Sequence, residues 1–181
     1  MNRSAERGFT LVEIMIVVAI IALLAAIAIP NVLRGRTTAN ETASVGNLRA
    51  LISSQEMYRS VNNRYSKDTT WQANMYPAGG VPAFGPPSFN ATMVASVIQG
   101  YTYDYVALPA ACTDLAGDCT QYAMQGVPQT LNQTGTRSFF ASEAGTIRHC
   151  TGTATRPPTA ATTATWLTKA TIDQPPSAAC P

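Results

Sequence analysis

Few side chains in this 181-residue sequence can do chemistry, and they are unevenly placed. One carboxylate, Glu13, interrupts an otherwise apolar run from Phe9 to Ile29, FTLVEIMIVVAIIALLAAIAI. A carboxylate at the centre of a bilayer costs about 2.5–3.5 kcal/mol, so one inside such a run is a functional candidate by default. Glu13 sits near one end of the run, which lowers that cost, and no cationic side chain lies one turn away. Cutting the chain after Gly8 would create an α-amino group at Phe9, four residues before Glu13, and supply the missing partner.

The four cysteines, Cys112, Cys119, Cys150 and Cys180, all follow the apolar run. An even count without a C-x-x-C pair, in a chain with one histidine, points to disulfides in an oxidising compartment rather than to zinc. Four thiols allow three connectivities. The favoured one is a local clip, Cys112–Cys119, with Cys150–Cys180 tying back the C-terminus. Closing that second loop contributes roughly 3–4 kcal/mol in the chain-entropy account. His149 has no carboxylate near it in sequence and adjoins a cysteine, so it is expected to be a surface residue rather than a base. Asp114 and Asp118 flank a turn between two cysteines, a weak calcium pattern at best. No glycine-rich phosphate loop, HExxH or EF-hand pattern occurs, so the chain is not expected to be an enzyme and no cofactor or metal is expected. Charged residues make up 12% of the chain and the net charge is +2, which leaves no electrostatic footprint for nucleic acid.

The elements that position Glu13 follow from hydrophobic periodicity. A helix over the apolar run is ~30 Å long at 1.5 Å per residue, enough to span a bilayer core. A plain transmembrane anchor fits this. So does a secretory signal peptide, with Arg3 and Arg7 as its basic end and Ala26-Ile27-Ala28 as its cut site. Against both, a helical pattern resumes beyond Pro30 and a polar stretch. Val45, Leu48, Leu51, Ile52, Met57 and Tyr58 recur at three- and four-residue spacing. One helix from Phe9 to Val61 is therefore expected, apolar all round in its first half and one-sided in its second, with Pro30 kinking rather than ending it. Arg3 and Arg7 precede the span while Arg34 and Arg36 follow it, so charge counting gives no orientation.

The stretch Arg7-Gly8-Phe9-Thr10-Leu11-Val12-Glu13, followed by the apolar run and Pro30, resembles the processing signature of type IV pilins and pseudopilins. The resemblance covers roughly Arg7 to Asn31. It implies cleavage after Gly8 by a prepilin peptidase, N-methylation of Phe9 and an assembly role for Glu13. It also implies an inner-membrane precursor with a periplasmic head, an assembly platform as partner, and a homo-oligomeric helical filament on the cell surface. The eight-residue leader and the Phe at the new N-terminus are most like the type IVa class. One departure is visible: Ala22 stands where many members of the family carry glycine, and alanine is the stronger helix former. Glu13 could pair with the Phe9 amine of a neighbouring subunit or with its own.

The expected fold class is α+β, a pilin-like long helix packed against an antiparallel β-meander. Residues 1–8 would be a leader, 9–61 the helix (9–30 in membrane or filament core, 31–61 amphipathic) and 62–181 the head. Within the head, Asn90 to Gln99 reads as a short helix. Tyr101 to Leu108, Gln121 to Val127, Ser138 to Ala141 and Thr146 to Cys150 read as strands, the last two as a hairpin. Tyr101, Tyr103, Tyr105 and Ala107 alternate with Thr102, Asp104, Val106 and Leu108, which marks the first of these as a strand. From Thr151 to Ala179 the composition is dominated by Thr, Ala and Pro and reads as an exposed loop held by Cys150–Cys180, or as a glycosylated or adhesive surface. Sequons beginning at Asn40, Asn90 and Asn132 are short enough to arise by chance. The function expected is a structural subunit of a type IV pilus, with a pseudopilin of a secretion or DNA-uptake system, or a minor pilin, as the alternative. An exported binding domain with an ordinary signal peptide is the third class.

Overall fold

The computed structural model describes residues 9–79, 83–90, 93–115, 117–177 and 179–181. The chain divides into two compact units between Arg36 and Thr37, and one helix, α1 (Leu11–Asn62), contributes to both. Thr10 caps its start. The Thr10 hydroxyl accepts from the Glu13 N–H (3.2 Å), while the Glu13 carboxylate accepts from the Thr10 N–H (3.2 Å) and hydroxyl (3.0 Å). This reciprocal box satisfies donors that a helix N-terminus otherwise leaves open. Pro30 lies inside α1 rather than ending it. The helix stops where Asn63 enters the left-handed region (φ 56°), its N–H donating to the Arg59 carbonyl at 2.8 Å. Asparagine tolerates that conformation better than other side chains, which makes it a natural stop.

In the second unit, five strands form an antiparallel meander in the order β1 (Ser96–Ile98), β2 (Tyr101–Leu108), β3 (Gln121–Pro128), β4 (Arg137–Ser142) and β5 (Ile147–Thr151). Four of these stand where the alternation placed them. The helix expected over 90–99 is absent among the described residues; β1 stands there instead, paired through Ser96↔Tyr103 and turned by left-handed Gln99 and Gly100. Its three residues are too few to show a period, and hydrogen bonding to β2 decides the conformation.

One sheet face packs on the second half of α1. Leu48, Leu51 and Tyr58 meet Tyr101, Tyr103, Tyr105, Tyr122, Met124 and Phe139 in one core. The buried stripe of α1 runs through Glu41, Ser44, Leu48, Leu51, Gln55 and Tyr58, at alternating spacings of three and four. Met57, assigned to that stripe by its apolar character, faces outward at 54% exposure. Polar side chains take buried places because the sheet supplies partners. Glu41, for example, accepts from the Thr136 N–H (2.8 Å), the Thr136 hydroxyl (2.7 Å) and Arg137 Nε (2.8 Å). Close approach needs small residues: a Cβ on Gly126 would lie 2.7 Å from Ser44 Oγ, and one on Gly135 2.0 Å from the Tyr101 hydroxyl.

The other face of the sheet is not open. Leu108, Ala123, Val127, Phe140 and Cys150 form a second core with Ala154 and the fully buried Trp166. Trp166 ends a short helix, α2 (Ala160–Trp166), and stacks on Phe140 with ring centroids 5.2 Å apart and planes 11° apart. The segment from Thr151 onward is thus a packed layer rather than an exposed loop. Asp104, 2% exposed on that face, is paired with Arg156 through both carboxylate oxygens. The segment also completes the edge of β5, with His149 N–H donating to Ala170 O (3.0 Å) and Thr151 N–H to Ser177 O (2.8 Å). Covering an edge in this way removes a template for unwanted strand pairing.

Candidate assembly segment

The N-terminal unit is defined by what its side chains lack. From Phe9 to Leu33 every large apolar side chain is between 48% and 79% exposed. The α1 helix contains a window of mean hydropathy 3.0, long and apolar enough to cross a membrane. An apolar surface of this extent must be covered by lipid or by other protein, since isolated soluble domains rarely expose contiguous patches beyond a few hundred Å². Glu13 is the charged group within this surface, and the capping box aims its carboxylate toward the N-terminal end of the helix, where Phe9 stands. That orientation could have been found in the sequence: Thr10-Leu11-Val12-Glu13 has the T-x-x-E spacing of a capping box. Gly8, with the rest of the leader, lies outside the described residues.

The remaining candidates sit in the second unit and serve its architecture. Cys112 is bonded to Cys119 and Cys150 to Cys180, the connectivity favoured on spacing. His149 is 1% exposed, not a surface residue as its position suggested. Its Nδ1 lies 3.2 Å from Arg137 Nη1 and its Nε2 2.8 Å from the Gln174 carbonyl. A guanidinium only donates and a carbonyl only accepts, so both ring nitrogens are committed and neither faces a substrate space.

Asp114 and Asp118 do not converge on a cation site. Asp114 accepts from Arg64 Nε (3.2 Å), the Thr70 hydroxyl (2.7 Å) and the Asn74 amide, while Asp118 accepts from the backbone and hydroxyl of Thr113. Burial pushes the Asp114 carboxyl up, but the hydrogen bonds from Asn74, Thr70 and Arg64 more than offset this and hold it below the ordinary range. No group of three metal-ligating side chains occurs among the described residues. Tyr105, buried completely, is pushed well above the ordinary tyrosine range by desolvation, and Tyr65 is pushed up to about 12 by burial and then by its bond to Glu56. Neither is poised to ionise near neutral pH.

Against known proteins, the family described as the prokaryotic N-terminal methylation motif matches residues 3–29. The type IV wide pilus major component PilA4 of Thermus thermophilus is 48% identical over 62 residues, 34% of this chain and 47% of that protein. The type IV major pilin protein PilA of Myxococcus xanthus is 50% identical over 61 residues, 34% of this chain and 28% of that one. Over its N-terminal third, this chain is similar to type IV pilins.

The similarity extends to the secretion branch. The type II secretion system core protein G of Klebsiella michiganensis is 40% identical over 65 residues, 36% of this chain and 46% of that protein. In each case the similarity spans less than half of the relative's length. No solved structure matches the chain. The pilin-family likeness therefore rests on the segment that carries Glu13 and the exposed apolar surface. The head contributes its α+β architecture, a long helix against an antiparallel meander.

Proposed function

We propose that this chain is a structural subunit of an extracellular type IV pilus, made as an inner-membrane precursor with its head in the periplasm. A prepilin peptidase cuts after Gly8, Phe9 is N-methylated, and subunits leave the membrane by exchanging lipid contacts for the apolar helices of neighbours. The observation that carries this reading is the exposed apolar helix face from Phe9 to Leu33, joined to a processing motif, in a chain whose second unit already buries two cores of its own. The side chains of that helix face are exposed, so its surface is available to other copies. In a low-dielectric filament core an unpaired Glu13 is costly, and the Phe9 amine of a neighbour offsets its charge and sets register. The chain acts as a building block, not as an enzyme.

A second reading, a pseudopilin of a secretion machine, is supported by the similarity of the same segment to core protein G. Mass spectrometry of the mature N-terminus tests the shared step. N-methyl-Phe at residue 9 is expected; a start near Ile29 or an intact Met1 overturns it. Abundance of the chain in sheared surface filaments then supports the pilus, and its absence from them supports the pseudopilin.

A further inference from the structure

Two arginines, Arg34 and Arg36, close the apolar surface of α1. Both are exposed, and Glu13 is the one charged residue of the sequence between Phe9 and Leu33. No acidic residue follows them until Glu41, which is already committed to Thr136 and Arg137. Gly35 stands between them, and a Cβ built there would meet nothing within 4 Å. At 3.6 residues per turn the two arginines project roughly 200° apart, one on each side of the helix. They cannot converge on one ligand, but they can ring the helix with positive charge.

Their distance from Glu13 has a natural scale. Glu13 and Leu33 lie on one helix, and the rise between them is ~30 Å, the thickness of a bilayer hydrocarbon core. When Glu13 stands at one boundary of that core, Arg34 and Arg36 stand at the other, level with the lipid phosphates. A shift of one turn in either direction draws a charge into hydrocarbon, which is costly. Long arginine side chains also keep their stems on apolar surface while the head group stays at the interface.

Their sign is informative as well. With the head outside the cytoplasm, arginines on the head side oppose the usual bias of cations toward the cytoplasmic side. Removal of residues 1–8 takes away Arg3 and Arg7 and leaves these two as the basic side chains that flank the span. Topology therefore does not account for them. A guanidinium fork matches a phosphate in both charge and shape.

We infer that Arg34 and Arg36 form a collar that holds anionic phospholipid headgroups at the head-side surface of the membrane. The ligand is the phosphate diester of a lipid with net negative charge, gathered around the helix rather than held in a pocket. The collar rests on the membrane-precursor reading above.

The test uses the full chain reconstituted in bilayers of equal parts phosphatidylglycerol and phosphatidylcholine, each lipid in turn carrying the same photoreactive group beside its phosphate. Adducts are mapped by peptide mass spectrometry, which separates the collar from the leader. At residues 31–38, phosphatidylglycerol adducts should exceed phosphatidylcholine adducts about fivefold. Arg34→Gln with Arg36→Gln should bring that ratio to about one and leave the thermal midpoint of the head unchanged. Equal adducts on the unsubstituted chain, or a ratio that survives the double substitution, overturn the collar and leave a neighbouring subunit as the partner of these arginines. Adducts from acyl-chain probes along residues 9–33 would in that case keep the membrane reading standing. Their absence overturns both.

Discussion

Glu41 shows how a single polar side chain can hold two layers together. It occupies the helix stripe where an apolar residue would be the default, and it is 6% exposed. Burial pushes its carboxyl up, but bonds from the Thr136 side chain and backbone and from Arg137 more than offset that, and the folded protein holds it below the ordinary carboxylate range. The sign follows. Glu41 stabilises the fold above the usual carboxylate range, and that contribution is lost as pH falls through its lower folded value. Urea unfolding midpoints should therefore fall between pH 6 and pH 3, and Glu41→Gln should flatten part of that slope, with Asp114 and Asp118 contributing to the remainder. Asp104 is the second residue of this kind. Arg156→Ala leaves its buried carboxylate without a cation, and a loss of about 3 kcal/mol in urea unfolding is expected, at the low end because Arg156 is itself 31% exposed.

Among the elements, the C-terminal layer departs most from expectation. Its Thr, Ala and Pro composition gives no periodicity, and α2 has seven residues, too short to announce itself by pattern. What makes it structural is Trp166 on Phe140, Arg156 on Asp104 and the Cys150–Cys180 bond, all contacts across long sequence separations. The same layer explains why β2 buries both of its faces although its residues alternate in polarity. Trp166→Ala should cost about 3–5 kcal/mol, read as a lower urea midpoint together with loss of near-ultraviolet dichroism from the stacked pair. An outcome within 0.5 kcal/mol would mean that the layer does not contribute to the second core. Strands β2 to β5 were legible because each is long enough for aromatic and β-branched residues to declare a run, whereas β1 is not.

At the scale of the molecule, one unit exposes an apolar helix while the other buries its apolar side chains in cores. The second unit, Thr37–Pro181, has two cores and two disulfides of its own. Removal of residues 1–36 should yield a monomer that unfolds in one cooperative step, checked by size-exclusion chromatography and denaturant titration; aggregation of that fragment would show that the head depends on the apolar helix. Conversely, Glu13→Ala keeps the apolar surface and removes the charge. The filament reading predicts that this variant inserts in the membrane but assembles poorly, seen as retained precursor and few sheared filaments. Normal assembly would remove Glu13 from any part in setting register.

The sequence by itself determined the processing motif, the apolar span and the capping spacing of Thr10 and Glu13, because these depend on neighbours a few residues apart along one helix. It also favoured the disulfide pairing, since one short and one long loop are the economical closures. Only the tertiary structure decided the place of Glu41, His149, Asp104 and Trp166. Each is a polar or aromatic group whose burial becomes tolerable when a partner arrives from 12 to 96 positions away in sequence, or when a second layer closes over it, and no local pattern carries that information.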